Sequence, residues 1–186
     1  METMVDGAVG VALRDGGTEM IRLYVAACSE RMAPLFIGMR AGAAGREADV
    51  HFYVESVRDL WFADRPLADA AERVRLLDLF PELEPTEEGI TDPADTYAFF
   101  AVLVLRYALL ANGAGDSGAA VSCGHAALTA MWMLDQNVAG ADFLREEQRL
   151  QALSVTGDIG GLWDASVFAG RERFRSVLSR TTRGAG

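Results

Sequence analysis

The side chains that most often bind metals or act as nucleophiles are scarce in this sequence and unfavourably spaced. It holds two histidines and two cysteines, and none of the four shares the i, i+4 spacing that places two ligands on one helix face. Cys123 and His125, the closest pair, would point about 200° apart on a helix. No Glu-x-x-His, Gly-x-Ser-x-Gly or glycine-rich phosphate loop occurs. We therefore expect no metal, no cofactor and no catalytic residue of a familiar type.

Charge and composition exclude further classes of function. All 17 cationic side chains are arginine, which excludes lysine nucleophiles and the P-loop lysine. The formal net charge of -10 argues against a nucleic-acid partner, because such binding depends on clustered cations. Cys28 and Cys123 lie far apart and are typical of buried thiols in a reducing compartment. The N-terminus lacks a secretory signal pattern, and the longest apolar run, Ala98 to Leu105, is too short to span a membrane. We predict a cytoplasmic protein without a membrane partner.

Arg31 is the residue whose position most suggests a specific role. On a helical wheel it falls among apolar side chains and should point into the core, with Glu30 at the edge of the same arc. A buried guanidinium must be paired, because an isolated buried charge is very unfavourable. Asp135 lies in the apolar sector of its own helix, so we predict an Arg31–Asp135 pair, with Arg106 as the competing partner for Asp135. A structural ion pair is favoured here over a ligand-binding arginine. The candidate buried polar cluster is Glu30, Arg31, Arg106 and Asp135.

The longest stretch of sequence whose charges all have one sign is acidic. Between Leu76 and Leu105 there are seven acids and no arginine, and Pro81 and Pro85 predict an exposed, irregular segment. Such a field could attract a basic protein partner, or it could simply keep a loop solvated. The arginine-rich stretch from Arg171 could dock on it in the same or another chain, which leaves a homo-oligomer open. The candidate partner-facing acids are Glu82, Glu84, Glu87 and Glu88.

The elements that would position these residues are helices. Apolar residues recur at helical spacing between Pro and Gly breaks, which predicts an all-α, single-domain bundle of six or seven helices over residues 1–186. Residues 1–17 and 181–186 should be loosely ordered. Asp92 and Pro93 form a strong helix start, and the apolar helix that follows should form a central antiparallel hairpin with the next one. The predicted core includes Leu103, Leu105, Leu109, Leu134 and Trp61.

Several short stretches occur in an order and spacing that resemble a known family. They are Ala-Ala-Cys-Ser-Glu-Arg-Met-Ala-Pro at 26–34, Arg-Asp-Leu-Trp at 58–61, an aromatic helix start at Tyr97, and Met-Leu-Asp-Gln-Asn-Val-Ala-Gly at 133–140. Over roughly residues 20–140 the chain resembles the YjaG-like family of bacterial proteins, a domain family of unknown function. The resemblance implies an all-helical fold and no known activity.

The residues that match the family pattern are Glu30, Arg31, Pro34, Trp61 and Asp135. The chain departs from it at Ser29, where a cysteine is expected, and at Val104, where an aspartate is expected. The second departure makes a carboxylate-based catalytic site less plausible.

These observations favour a non-enzymatic protein–protein interaction module, immunity-like or regulatory, with an acidic docking surface. The alternative is a small-molecule-binding protein or enzyme with a site around Arg31 between the helices. A cavity of some hundreds of Å³ that reaches Arg31 would favour the alternative, and a dry, packed core there would favour the interaction module. The side chains that would line such a pocket are Tyr24, Tyr97, Trp132 and His125.

Overall fold

Helices make up the bundle, as the helical spacing of apolar residues predicts. The computed structural model describes residues 4–62, 64–84, 92–156 and 159–181, is 82% helical, and contains no strand in those residues. Its helices are α1 Gly7–Asp15, α2 Gly17–Arg40, α3 Glu47–Phe62, α4 Ala70–Leu77, a short 3-10 helix at Pro81–Leu83, α5 Pro93–Ala114, α6 Ser117–Asn137, α7 Phe143–Ser154 and α8 Ile159–Thr181.

Helix α1 lies in the N-terminal segment for which we expected loose order. Asp6 is its N-cap, and the Asp6 carboxylate accepts a hydrogen bond of 2.8 Å from the Ala8 N–H. Val9 and Leu13 are buried, so α1 belongs to the core. The expectation for residues 1–17 is therefore wrong for the described part of that segment, which begins at residue 4. Residues 182–186 lie outside the described residues.

Helices α5 and α6 form the central hairpin that the sequence predicts. Asp92 caps α5 by accepting the Ala94 N–H at 2.7 Å, and Gly115, with a φ of +64°, ends α5 in the left-handed conformation that glycine adopts readily. Five side chains were predicted for the core. Leu105, Leu109 and Leu134 are fully buried, and Leu103 and Trp61 are half-buried.

Helix α5 is long and apolar because it lies in the middle of the bundle. Within the described residues, Ala94–Ala114 is one helix that has the length and composition to cross a membrane. It packs against α2, α4 and α6, and 56% of its apolar window is buried. Packing inside a bundle explains this composition without a membrane.

Helix α8 packs tightly against α2 because two glycines allow it. A Cβ on Gly170 would lie 3.0 Å from Pro34 Cγ and 3.1 Å from the Arg31 carbonyl oxygen. A Cβ on Gly38 would lie only 2.0 Å from the Phe174 ring. Glycine lowers the intrinsic stability of a helix, but here it allows the two backbones to approach closely. This approach brings the buried face of α8 next to Arg31.

Candidate functional site: a buried arginine–glutamate cluster

Arg31 points into the core, as predicted, and its partner is Glu147 on α7. Its Nε donates to Glu147 Oε2 and its Nη2 donates to Glu147 Oε1, both at 2.8 Å. Both side chains are completely buried. This is a bidentate guanidinium–carboxylate pair, which fixes the relative orientation of the two side chains as well as providing attraction.

A second buried arginine shares the same carboxylate. Arg173 on α8 donates from Nη2 to Glu147 Oε2 at 2.8 Å, and its side chain is also completely buried. Among the described residues, its Nε and Nη1 have no hydrogen-bond partner, and the next carboxylate oxygen, on Glu146, is 4.0 Å from Nη2. Two guanidinium groups therefore depend on one carboxylate in the interior.

Further polar groups complete the environment of Arg31. Its Nη1 donates to Ser166 Oγ at 3.3 Å and its Nη2 lies 3.2 Å from Cys28 Sγ. Each N–H-bearing nitrogen of Arg31 thus has an acceptor. The guanidinium is held by α7, by α8 and by its own helix, so its position is fixed from three sides.

Gln151 extends this network away from Arg31. Its Nε2 donates to Glu147 Oε1 at 3.0 Å and to the Gly124 carbonyl at 3.1 Å, and its Oε1 accepts the Tyr24 hydroxyl at 2.8 Å. A Cβ on Gly124 would lie 2.0 Å from the Tyr24 hydroxyl oxygen. Only glycine at 124 therefore leaves room for this arrangement.

The electrostatics of the cluster do not suit acid–base or nucleophilic chemistry at neutral pH. Burial alone would raise the pKa of Glu147, but Arg31 and Arg173 outweigh it and lower that pKa to about 2. Burial raises the pKa of Tyr24 and of the Cys123 thiol well above their ordinary values. A catalytic group works best with a pKa near the working pH, and these three groups are shifted away from it. The arrangement can hold helices α2, α7 and α8 in register.

The predicted Arg31–Asp135 pair is wrong. Asp135 lies near the C-terminal end of α6 and accepts the N–H groups of Phe143 at 2.8 Å and Leu144 at 3.0 Å. It therefore caps the start of α7, where unpaired N–H groups attract an anion. Asp142, at the N-cap position itself, makes no side-chain cap bond. Asp135 is half-buried, and backbone N–H groups satisfy it.

The other two members of the predicted cluster also lie elsewhere. Arg106 donates to Asp78 Oδ1 at 2.6 Å, and both side chains are partly exposed. Glu30 is half-buried, and burial raises its pKa against the opposing effects of Trp61 and Arg171. Of the four predicted residues, only Arg31 belongs to the buried arginine–glutamate cluster.

The described part of the predicted acidic loop includes a short helix and a buried acid. Glu82 lies in the short 3-10 helix with its side chain 2% exposed, and it accepts from Arg40 Nε at 2.6 Å and Arg46 Nη2 at 2.7 Å. These two arginines lower its pKa, although burial alone would raise it. Glu82 is thus not a partner-facing acid, which corrects the prediction. Glu84 is exposed, whereas Glu87 and Glu88 lie outside the described residues.

The residues proposed to line a pocket at Arg31 differ in burial, and His125 among them is half-buried on α6. Tyr24 is buried, but Trp132 is 38% exposed on α6 and Tyr97 accepts a hydrogen bond from Asn137 at 3.2 Å. Two cavities lined by described residues lie along α7, and neither is lined by Arg31. Among the described residues, no group of three or more histidine, cysteine or acidic side chains could hold a metal ion.

Sequence reasoning missed Glu147 and Arg173, although each carries a signal. Glu147 lies three residues after Leu144 and three before Leu150, on the buried face of α7. Arg173 lies four residues after Ala169 and four before Val177, both buried. A charged residue in the apolar stripe of a helix predicts a buried partner, as it did for Arg31.

Comparison of the chain with protein-family models, with curated proteins and with solved structures gives no match. The resemblance to the YjaG-like family therefore stays a prediction, and the function has to be inferred from the chain's own residues.

Proposed function

We propose that this protein is a non-enzymatic interaction module of the cytoplasm that binds a basic protein partner through the acidic region of residues 47–95, in which helices α3 and α4 provide exposed apolar side chains. The observation that carries the proposal is the distribution of charge. Residues 47–95 contain fourteen acids and four arginines, so about a quarter of the chain carries a net charge equal to the whole formal net charge of -10. A one-sign field of this kind speeds association with an oppositely charged partner and discriminates against others.

Exposed apolar side chains occur in the same region. Phe62 and Leu79 are 73% and 74% exposed, the highest values among the described large apolar residues, and Val54 and Leu76 are also exposed. Exposed apolar groups surrounded by charge are typical of interaction sites, where a few large side chains provide most of the affinity.

Helices α3 and α4 are linked by polar side-chain contacts. Arg73 on α4 donates to Asp59 Oδ2 at 2.8 Å and to Ser56 Oγ at 3.4 Å on α3. We define the acidic α3–α4 surface by Glu55, Phe62, Glu72, Leu76 and Leu79. Within the described ranges, Glu55 and Glu72 pair with arginines one turn away on their own helices, Arg58 and Arg75, and both carboxylates are partly exposed.

The buried arginine–glutamate cluster supports the same reading. Its charged side chains are fully buried, and the pKa of Glu147 is far below neutrality. These properties suit a group that holds helices together and argue against the alternative of an enzyme centred on Arg31.

Affinity capture from cells that make the protein tests the proposal. The bait is the folded chain, used as wild type, as the Glu55→Arg/Glu72→Arg variant, and as a control Asp15→Arg/Asp164→Arg variant. The control reverses two exposed acids outside residues 47–95. We expect a stoichiometric basic partner that wild type and control retain and that the Glu55→Arg/Glu72→Arg variant loses. An acidic partner, or equal retention by both variants, would contradict the proposal.

A second pair of variants tests the apolar part of the surface. Phe62→Ser removes an exposed phenylalanine from the acidic α3–α4 surface, and Phe168→Ser removes a comparably exposed one from α8, 63% exposed. Removing a central aromatic side chain from an interface typically weakens binding by about 2 kcal/mol or more. We expect that loss for Phe62→Ser and little change for Phe168→Ser.

A further inference from the structure

A cavity of about 580 Å³ lies between the N-terminal segment and helix α7. Met4, Val5 and Val9 line one side, and Arg145 and Arg149 on α7 line another. This volume is in the range of small-molecule sites, and the walls combine apolar and charged groups as such sites do. The cavity is separate from the acidic α3–α4 surface.

The charges at this cavity differ in sign from the protein as a whole. Arg145 and Arg149 contribute two positive charges, and Asp6 is the one acid in the lining. Asp6 is already bonded to the Ala8 N–H at the start of α1. Arg149 makes no ion pair or hydrogen bond with its side chain in the part of the chain that the structure describes, and Arg145 has only an exposed contact of 3.4 Å with Asp142. The guanidinium groups are therefore available to an anion.

The inner wall of the cavity is a rigid, buried amide. Gln151 is 1% exposed, and Tyr24, Gly124 and Glu147 hold its amide in one orientation through the hydrogen bonds described above. Because this amide lines the cavity in one fixed orientation, its resonances report on a molecule that enters the cavity.

We propose that this cavity binds a small organic anion. The carboxylate or phosphate of the ligand contacts Arg145 and Arg149, and its apolar part lies between Val5 and Ala152, above Gln151. Guanidinium groups bind both carboxylates and phosphates, so the head group is defined by its charge. The apolar residues of the lining, Met4, Val5, Val9 and Ala152, favour a ligand that carries an apolar body as well as the anionic group.

A matched set of four probes tests the proposal on the full-length chain. Hexanoate, hexyl phosphate, hexanol and hexylamine each carry an unbranched alkyl chain of five or six carbons and differ in head group. Each is titrated into isotopically labelled protein while the side-chain amide resonances of Gln151 are followed by NMR. We expect hexanoate or hexyl phosphate to shift these resonances and to bind about tenfold more tightly than hexanol, with hexylamine the weakest, since charge-assisted hydrogen bonds carry the difference. The stronger of the two anions identifies the head group.

Two arginine variants locate the site. Arg149→Gln should weaken binding of the preferred anion about tenfold, whereas Arg75→Gln, which changes an exposed arginine on α4, should leave it unchanged. Both variants alter exposed side chains and should fold. Equal binding of hexanol and the anions, no response of the Gln151 resonances, or an unchanged affinity in Arg149→Gln would overturn the proposal.

Discussion

Replacing Glu147 by alanine should destabilise the protein more than any single surface change, because it leaves two buried arginines without their shared carboxylate. Glu147 accepts three hydrogen bonds from Arg31 and Arg173 and one from Gln151. Breaking one buried ion pair costs about 3–5 kcal/mol, so we expect a loss of about 4 kcal/mol or more. That is a large fraction of the roughly 5–15 kcal/mol by which a typical domain is stable.

Urea unfolding followed by far-ultraviolet circular dichroism measures this loss as a difference in the free energy of unfolding. The control is Glu72→Ala, which removes the acid of an exposed pair with Arg75 and should cost less than about 1 kcal/mol. A variant with Arg31→Met, Glu147→Leu and Arg173→Met provides a second test, since replacing a whole buried ionic cluster by apolar groups is often neutral or stabilising. A Glu147→Ala loss below about 1.5 kcal/mol, or a triple variant less stable than Glu147→Ala, would refute the reasoning.

Three further predictions follow from the same geometry. Because folding lowers the pKa of Glu147 from an ordinary value of 4.5 to about 2, its contribution should be fully present above about pH 4.5 and disappear as the pH falls towards 2. Urea unfolding across this range should therefore show a steeper loss of stability for wild type than for Glu147→Gln. Gly124→Ala places a Cβ 2.0 Å from the Tyr24 hydroxyl oxygen and should lower the free energy of unfolding by about 2 kcal/mol, and adding Tyr24→Phe should restore part of that stability. The control is Gly160→Ala, where the added Cβ meets open space, and thermal melting should show this variant to be as stable as wild type or more stable. Asp135→Ala should cost about 1 kcal/mol through the lost cap of α7, and Asp142→Ala should cost less; equal costs would contradict the capping role of Asp135.

The sequence was sufficient for the fold because local signals determine it. The cap at Asp92 and the αL end at Gly115 bound helix α5, the first helix of the central hairpin, and each is readable within a few residues. Helix α1 was missed because its four glycine and alanine residues give a weak apolar pattern, and its stability comes from burial of Val9 and Leu13. Burial against distant helices is not visible in a window of one helix.

The candidate site was predictable only in part, for a related reason. The wheel of α2 shows that Arg31 must be buried, but its partner is 116 residues away, and sequence spacing says nothing about which helices meet. The sequence pattern made Asp135 a reasonable candidate for the partner of Arg31. Its carboxylate is satisfied instead by the backbone N–H groups at the start of α7, which are close to it in the chain. Glu82 was read as exposed because it lies between prolines, while Arg40 and Arg46 reach it from two other parts of the chain.

The affinity of the captured basic partner for the variant with Arg31→Met, Glu147→Leu and Arg173→Met tests the central claim most directly. If function resides on the acidic α3–α4 surface and the buried cluster only stabilises the bundle, this variant should fold and bind the partner with a dissociation constant within about threefold of wild type, a difference of less than 1 kcal/mol. A folded triple variant that binds more than about tenfold more weakly would place the function in the buried arginine–glutamate cluster and contradict the account.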